Sequence, residues 1–250
     1  MKLRLIGLLS AVLFIYFTVS SFNFWQSVAV AKITFPLGSV LVLQKGQKKM
    51  QKAGFNKELF AGDKVKTEKQ ARCEIKYTDG SLVRLDQQSI YTIEKAQVEE
   101  QKKEVESFLS VGRLWANIKK LVKSSDNWLL RGPSAVVAVR GTVYRMDTME
   151  DKSSKVLVYE GSVNVGPPSW APGSGAQGQN QGGPPRQVQG PSQVKGPSVV
   201  SLEEWVEIVK AQQQIIVKPD GSFQKSDFDL VADAQSSWVK WNLERDKMIK

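Results

Sequence analysis

The chain has 250 residues, 35 Lys and Arg against 25 Asp and Glu, a formal net charge of +10, and no histidine. Without histidine the commonest general base and the commonest metal ligand are missing, so His-based triads are excluded; zinc spacings, P-loops and dinucleotide fingerprints are absent too. The basic excess suits anionic partners, but the lysines are scattered (Lys45, Lys48, Lys49 and Lys52, then Lys119, Lys120 and Lys123) and read as solvated faces; with no nucleic-acid-binding fold in sight, nucleic acid is set aside.

Residues 1–31 read as an export signal or an N-terminal anchor. Lys2 and Arg4 precede an apolar run from Leu5 to Phe17, and no further charge appears before Lys32. Ala29-Val30-Ala31 offers signal peptidase a small-x-small site just ahead of Lys32. Uncleaved, Leu5 to Trp25 is long enough to cross a bilayer core of about 30 Å, and the basic residues before it favour an N-in orientation. The remainder is therefore expected outside the cytoplasm: periplasmic or secreted if cleaved, anchored in the inner membrane and facing the periplasm if not. Cys73 is the single cysteine, so no internal disulfide forms; alternation places it beside Ile75 and Tyr77 as a small buried hydrophobe.

Residues 32–165 are strand-rich, with turn signals every eight to twelve residues, as in an all-β domain. Strands are predicted at Ser39–Leu43, Lys64–Lys66, Arg72–Tyr77, Ser81–Asp86, Ile90–Ile93, Trp128–Arg131, Val136–Val139, Thr142–Asp147, Lys155–Tyr159 and Ser162–Val165. Glu106 to Ile118 is ambiguous, with Val111–Trp115 reading as a turn entering a strand. One register follows from burial alone. A two-residue Asp79-Gly80 turn would pair Ile75 with Arg84; a three-residue loop with Gly80 left-handed pairs Ile75 with Val83 and Cys73 with Leu85, gathering the apolar residues on one face. The fold class predicted is all-β, a sandwich or β-roll of about ten short strands.

In residues 166–198, 15 of 33 are Gly or Pro, the composition of a flexible linker. Residues 199–250 regain amphipathic patterning and read as a small helix–hairpin–helix tail. Ser201 to Glu204 is a capping box, Leu202, Trp205, Val206 and Val209 form a helical stripe, Pro219-Asp220-Gly221 marks a hairpin, and Leu230, Ala234, Trp238 and Trp241 form a second stripe. A tail on such a linker is expected to be removable without unfolding the β-domain. Its stripes pack either on the chain itself or on a protein partner.

Five segments together resemble the FecR-type domain, the extracytoplasmic β-domain of bacterial iron-dicitrate sensors and of many stand-alone envelope proteins: Ala61–Thr67, Thr78–Leu85, Val111–Trp115, Val139–Thr142 and Tyr159–Val163. The resemblance covers most of residues 32–165. Sensor members carry a cytoplasmic anti-sigma segment ahead of the membrane helix; only four residues precede the apolar run in this sequence, so the resemblance points to a stand-alone envelope form. It implies a non-catalytic binding or scaffolding module in sensing or surface assembly, with an envelope protein as partner. No catalytic residue, cofactor or metal is expected. A carboxylate-dependent enzyme acting on glycan and a basic adhesin bound to anionic cell-wall polymer remain the alternatives. The candidate binding residues are Arg140, Trp205, Trp238 and Trp241. Arg140 either offers its guanidinium to an anion or pairs with a carboxylate such as Glu160 or Asp86. Trp115 and Trp128 read as core.

Overall fold

The computed structural model describes residues 28–99, 102–170 and 206–248. Alternating apolar residues build strands with one face turned inward, the two-residue period of extended chain. The strands form two sheets. Sheet A runs β4 (Glu58–Leu59), β1 (Ala31–Leu37), β6 (Arg72–Tyr77), β7 (Leu82–Leu85), the second half of β9 (Lys103–Asn117), β12 (Val143–Thr148), β13 (Ser154–Glu160), β16 (Gln213–Val217) and β17 (Phe223–Asp227). Sheet B runs β3 (Gln51–Lys52), β2 (Val40–Leu43), β5 (Lys64–Thr67), β8 (Ile90–Val98), the first half of β9, β10 (Asn127–Arg131), β11 (Val136–Val139), β14 (Ser162–Gly166) and β15 (Glu207–Lys210). Every pairing is antiparallel except β9 with β10.

The long strand β9 belongs to both sheets. Its first half pairs with β8 and β10, its second with β7 and β12. The crossing falls at Gly112, whose φ of +101° is closed to most side chains and whose Cβ position lies 2.5 Å from the Ser89 Cα. Only glycine fits both conditions. Between the sheets lies one apolar core that includes Ile33, Val65, Cys73, Ile75, Leu85, Leu109, Leu114, Trp128, Val156 and Ile215. Tyr77 and Tyr91 share a 2.6 Å hydrogen bond inside it, so two buried hydroxyls satisfy each other.

The β6–β7 hairpin has the register that burial demands. Cys73 faces Leu85, Ile75 faces Val83, and the Tyr77 amide donates to the Ser81 carbonyl across a loop with Gly80 at φ +86°. Strands appear near the other predicted positions, usually within one or two residues. Of the ambiguous Glu106 to Ile118, all but Ile118 is strand rather than a turn entering one, because the Gly112 bend redirects β9 without breaking it. Strand β1 was not anticipated: Val30 and Ala31, read as the end of a signal, are buried, and Val30 exchanges backbone hydrogen bonds with Leu59 and Thr78.

The C-terminal residues also differ from their reading. Residues 171–198 of the expected linker and residues 199–205 of the expected tail, with the capping box Ser201 to Glu204 and Trp205, lie outside the described residues. Glu207–Lys210, read as helix, is strand β15, because Val209 is buried opposite Val163. The hairpin at Pro219–Gly221 is present as β16–β17. The second stripe is split into α1 (Leu230–Asp233), capped by Asp229, and α2 (Ser237–Lys247). These elements complete the fold: β15 adds to β14, β16 adds to β13, and α2 covers the outer face of sheet A.

Deleting residues 207–250 is therefore expected to abolish the cooperative unfolding transition, since it uncovers β13, β14 and Trp115 together. A truncated chain with an unchanged urea midpoint would show that the tail is dispensable after all. At single positions, Gly112→Ala combines a disfavoured φ with a clash against Ser89 and should cost about 2–3 kcal/mol or more. Gly80→Ala meets only the Lys119 Cε at 3.8 Å and should cost about 1 kcal/mol. Urea melts read by tryptophan fluorescence compare the two.

Candidate interaction site

Two regions gather the residues with recognition chemistry: the seat of α2 on sheet A, and the end of the sandwich around Arg140. On the outer face of sheet A, β6 and β7 present Glu74 and Arg84 as a directly opposed pair. Arg84 Nε donates to Glu74 Oε2 at 2.7 Å and Nη1 to Asp246 Oδ1 at 2.7 Å. Arg245 donates twice to the Glu74 carboxylate at 3.0 Å, and Thr34 donates once at 2.9 Å. Trp115 Nε1 donates to Asp246 at 3.0 Å. Arg84 is fully buried, and a charge that deep persists only if paired. Burial pushes the Glu74 carboxyl up, but hydrogen bonds from Arg245 and Arg84 outweigh it and hold the group at about 2.

Aromatic rings frame these charges. Trp238 is buried against Trp115 and Val143, and Trp241 stacks on it with centroids 5.4 Å apart. The Arg72 guanidinium lies 5.3 Å from the Trp238 ring, and that of Arg245 lies 4.4 Å from Phe35. A second buried arginine, Arg145, holds α1: it donates to Asp233 at 2.9 Å and lies 3.1 Å from Asp147, while the Tyr159 hydroxyl donates to Asp233 at 2.6 Å. Burial raises the Asp147 carboxyl and outweighs the charge of Arg145 beside it.

The predicted binding residues separate accordingly. Trp238 is consumed by the fold and presents no surface to a partner. Trp241 is half-buried in the same seat. Trp205 lies outside the described residues. Arg140 lies just beyond β11, where its Nη2 donates to the carbonyls of Ser124 at 3.0 Å and Lys123 at 3.4 Å. The expected pairing with Asp86 is not made, since Asp86 is held by Arg72 and Arg113. The exposed guanidinium borders an open cavity of about 390 Å³ that Ser125, Asp126, Ala138 and Asn164 also line.

The five sequence segments fall at junctions of this architecture: the turn into β5, the β6–β7 hairpin, the β9 crossing, the β11–β12 turn and the β13–β14 turn. Residues 63–164 match the FecR protein family. The match takes in the chain from Asp63, before β5, to Asn164, inside β14. No curated protein matches. Two crystal structures of a candidate anti-sigma factor from Parabacteroides distasonis are similar to this chain. One has 18% identity and a TM-score of 0.45, covering 66% of this chain and 60% of that one. The other has 17% identity and a TM-score of 0.47, covering 70% of this chain and 64% of that one. The chain thus spans less than two thirds of either.

Within the FecR segment the first residue, Asp63, caps two backbone amides, of Lys45 and Phe60, and so fixes the entry to β5. Cys73 is buried and its thiol is pushed far up by burial, which leaves it without nucleophilic character. Burial raises Tyr91 to about 12 and Tyr77 and Tyr144 well up. Among the described residues no three of Cys, Asp and Glu gather to hold a metal ion. Sequence reasoning missed the Glu74–Arg84–Asp246–Arg245 network. The signal was present: two opposite charges directly across a hairpin whose other face is already buried.

The network has a pH signature. Glu74 is held below its usual value, so its contribution to stability is complete above about pH 4.5 and is lost as pH falls towards 2. Glu74→Gln leaves Arg84 buried with a weaker partner and should cost about 3 kcal/mol at pH 7. The gap between variant and wild type should narrow steadily between pH 4.5 and 2 in denaturant titrations. A gap constant over that range would remove Glu74 from the ionised network.

Proposed function

We propose that this chain is a non-catalytic, extracytoplasmic binding module of the bacterial envelope that serves sensing or signalling and remains tethered to the membrane by its N-terminal apolar segment. The observation that carries the reading is the FecR match over residues 63–164, which spans the centre of the double-sheet core. Binding is favoured over carboxylate-pair hydrolysis of glycan by the state of the buried acids: Glu74 is claimed by Arg84 and Arg245, Asp86 by Arg72 and Arg113, and Asp147 by Arg145. A glycosidase needs an open pair of carboxylates flanking a cleft, and these face arginines inside the fold.

Tethering is supported by β1. Cleavage after Ala31 would remove two buried residues and the backbone hydrogen bonds from Val30 to Leu59 and from Thr78 to Val30. Retention keeps the strand whole and leaves residues 5–25 as the membrane-crossing stretch.

Mass spectrometry of the chain from the membrane fraction should find Met1-derived peptides joined to residues beyond Lys32. An N-terminus at Lys32, with the protein in the soluble fraction, would overturn the tether. Crosslinking in intact cells should recover an envelope protein together with the chain. A glycan-cleaving activity abolished by one Asp→Asn or Glu→Gln exchange would overturn the binding reading.

A further inference from the structure

The registers of sheet A define one end of the molecule residue by residue. Lys32 pairs with Lys76, Lys76 with Leu82, Leu82 with Asn117, Asn117 with Val143 and Val143 with Glu160. Beyond that row lie the N-terminal entry at Val28–Val30, the Thr78–Gly80 loop, the Ile118–Asp126 segment and the Arg140–Gly141 turn. They touch one another. The Thr78 amide donates to the Val30 carbonyl, the Lys119 amide donates to Ser81 Oγ, and Arg140 reaches the Ser124 carbonyl.

This end is basic and carries exposed apolar residues. Lys32, Lys76, Lys119, Lys120, Lys123 and Arg140 are exposed there, with Glu58 and Glu160 as exposed acids and Glu99 beside Lys102. Asp79 accepts from Ser81 and lies 3.8 Å from Lys103, and Asp126 accepts the backbone amides of Lys103 and Lys123. Among the lysines stands Val122, 87% exposed, and Val28 at the entry is 79% exposed. At the opposite end, the β12–β13 and β16–β17 turns balance Glu150, Asp151 and Asp220 against Lys152 and Lys218.

We propose that this end is a membrane-facing surface that binds anionic phospholipid headgroups, with Val122 dipping into the interface and Lys119, Lys120, Lys123 and Arg140 meeting the phosphates. It deepens the tether reading above and rests on it. The reach of the chain makes the geometry compelling. Trp25 closes the apolar stretch and Val30 is already fixed in the fold, so the two are at most about 18 Å apart. An exposed valine rimmed by lysines fits the boundary between acyl chains and headgroups, and clustered basic residues within a Debye length of an anionic surface are attracted to it.

The test uses the full chain in vesicles of phosphatidylcholine with or without phosphatidylglycerol. Cys73 is buried, so Val122→Cys and Glu150→Cys each give one accessible thiol for a fluorophore. Quenching by headgroup spin-labelled lipid should be several-fold stronger at 122 than at 150. It should rise with phosphatidylglycerol and fall when Lys119→Glu and Lys120→Glu are combined. Equal quenching at both sites, or a signal at 122 indifferent to lipid charge and to charge reversal, would overturn the surface. Carbonate extraction separates the two readings. A chain that resists extraction with no response at 122 keeps the tether and loses the surface; one that is extracted yet responds keeps the surface and loses the tether. Extraction without response overturns both.

Discussion

The fold depends on one strand being shared. β9 gives its first half to sheet B and its second to sheet A, so the two layers are joined by continuous backbone through the middle of the molecule. Gly112 makes this possible, and Ser89 fixes it by donating to the Arg113 carbonyl and accepting the Arg113 amide at the bend. Because both sheets meet along one strand, the core they enclose is a single apolar volume rather than two packed halves, and a fault at the crossing is felt on both sides.

On sheet A the outer face is as demanding as the inner one. A hairpin that turns its apolar residues inward necessarily turns Glu74 and Arg84 outward. Those charges would sit comfortably in water, but α2 covers them, so they must be satisfied by residues that α2 brings: Asp246, Arg245 and the aromatic frame of Trp238 and Trp241. Buried pairs of this kind add little net stability relative to apolar packing, yet breaking one is costly. Their effect is to make the seat of α2 selective, since a helix lacking the complementary charges would leave Arg84 stranded.

Much of this was legible in the residues. The β6–β7 register followed from which face must be buried, and the strands from Trp128 to Val165 followed from β-branched runs between turn residues. Two kinds of information were not local. Val30 and Ala31 look like the end of a signal because their neighbours are small and apolar; that they lead into β1 depends on Leu59 and Tyr77, far along the chain. Glu207–Lys210 looks helical by spacing, and its strand state comes from β14 across a long intervening segment. Trp238 had the pattern of a residue that must be buried, and the pattern left open whether the chain itself or a partner covers it; the structure packs it on Trp115 and Val143. The surface formed by Lys119 to Lys123 was visible as a loose basic group, but its meaning comes from lying beside the N-terminal entry, which no window of sequence reveals.

The placement of β1 and β16 has a consequence for how the molecule is made. Sheet A needs a strand from near the start of the chain and another from near its end, and sheet B likewise waits for β15. Until residues 207–247 have been made, β13 and β14 have unfilled edges and Trp115 has no cover. An unfinished chain is thus obliged to stay open, with its apolar strands available to whatever holds them. Completion of both sheets therefore waits on residues 207–247, which fill the edges of β13 and β14 and cover Trp115.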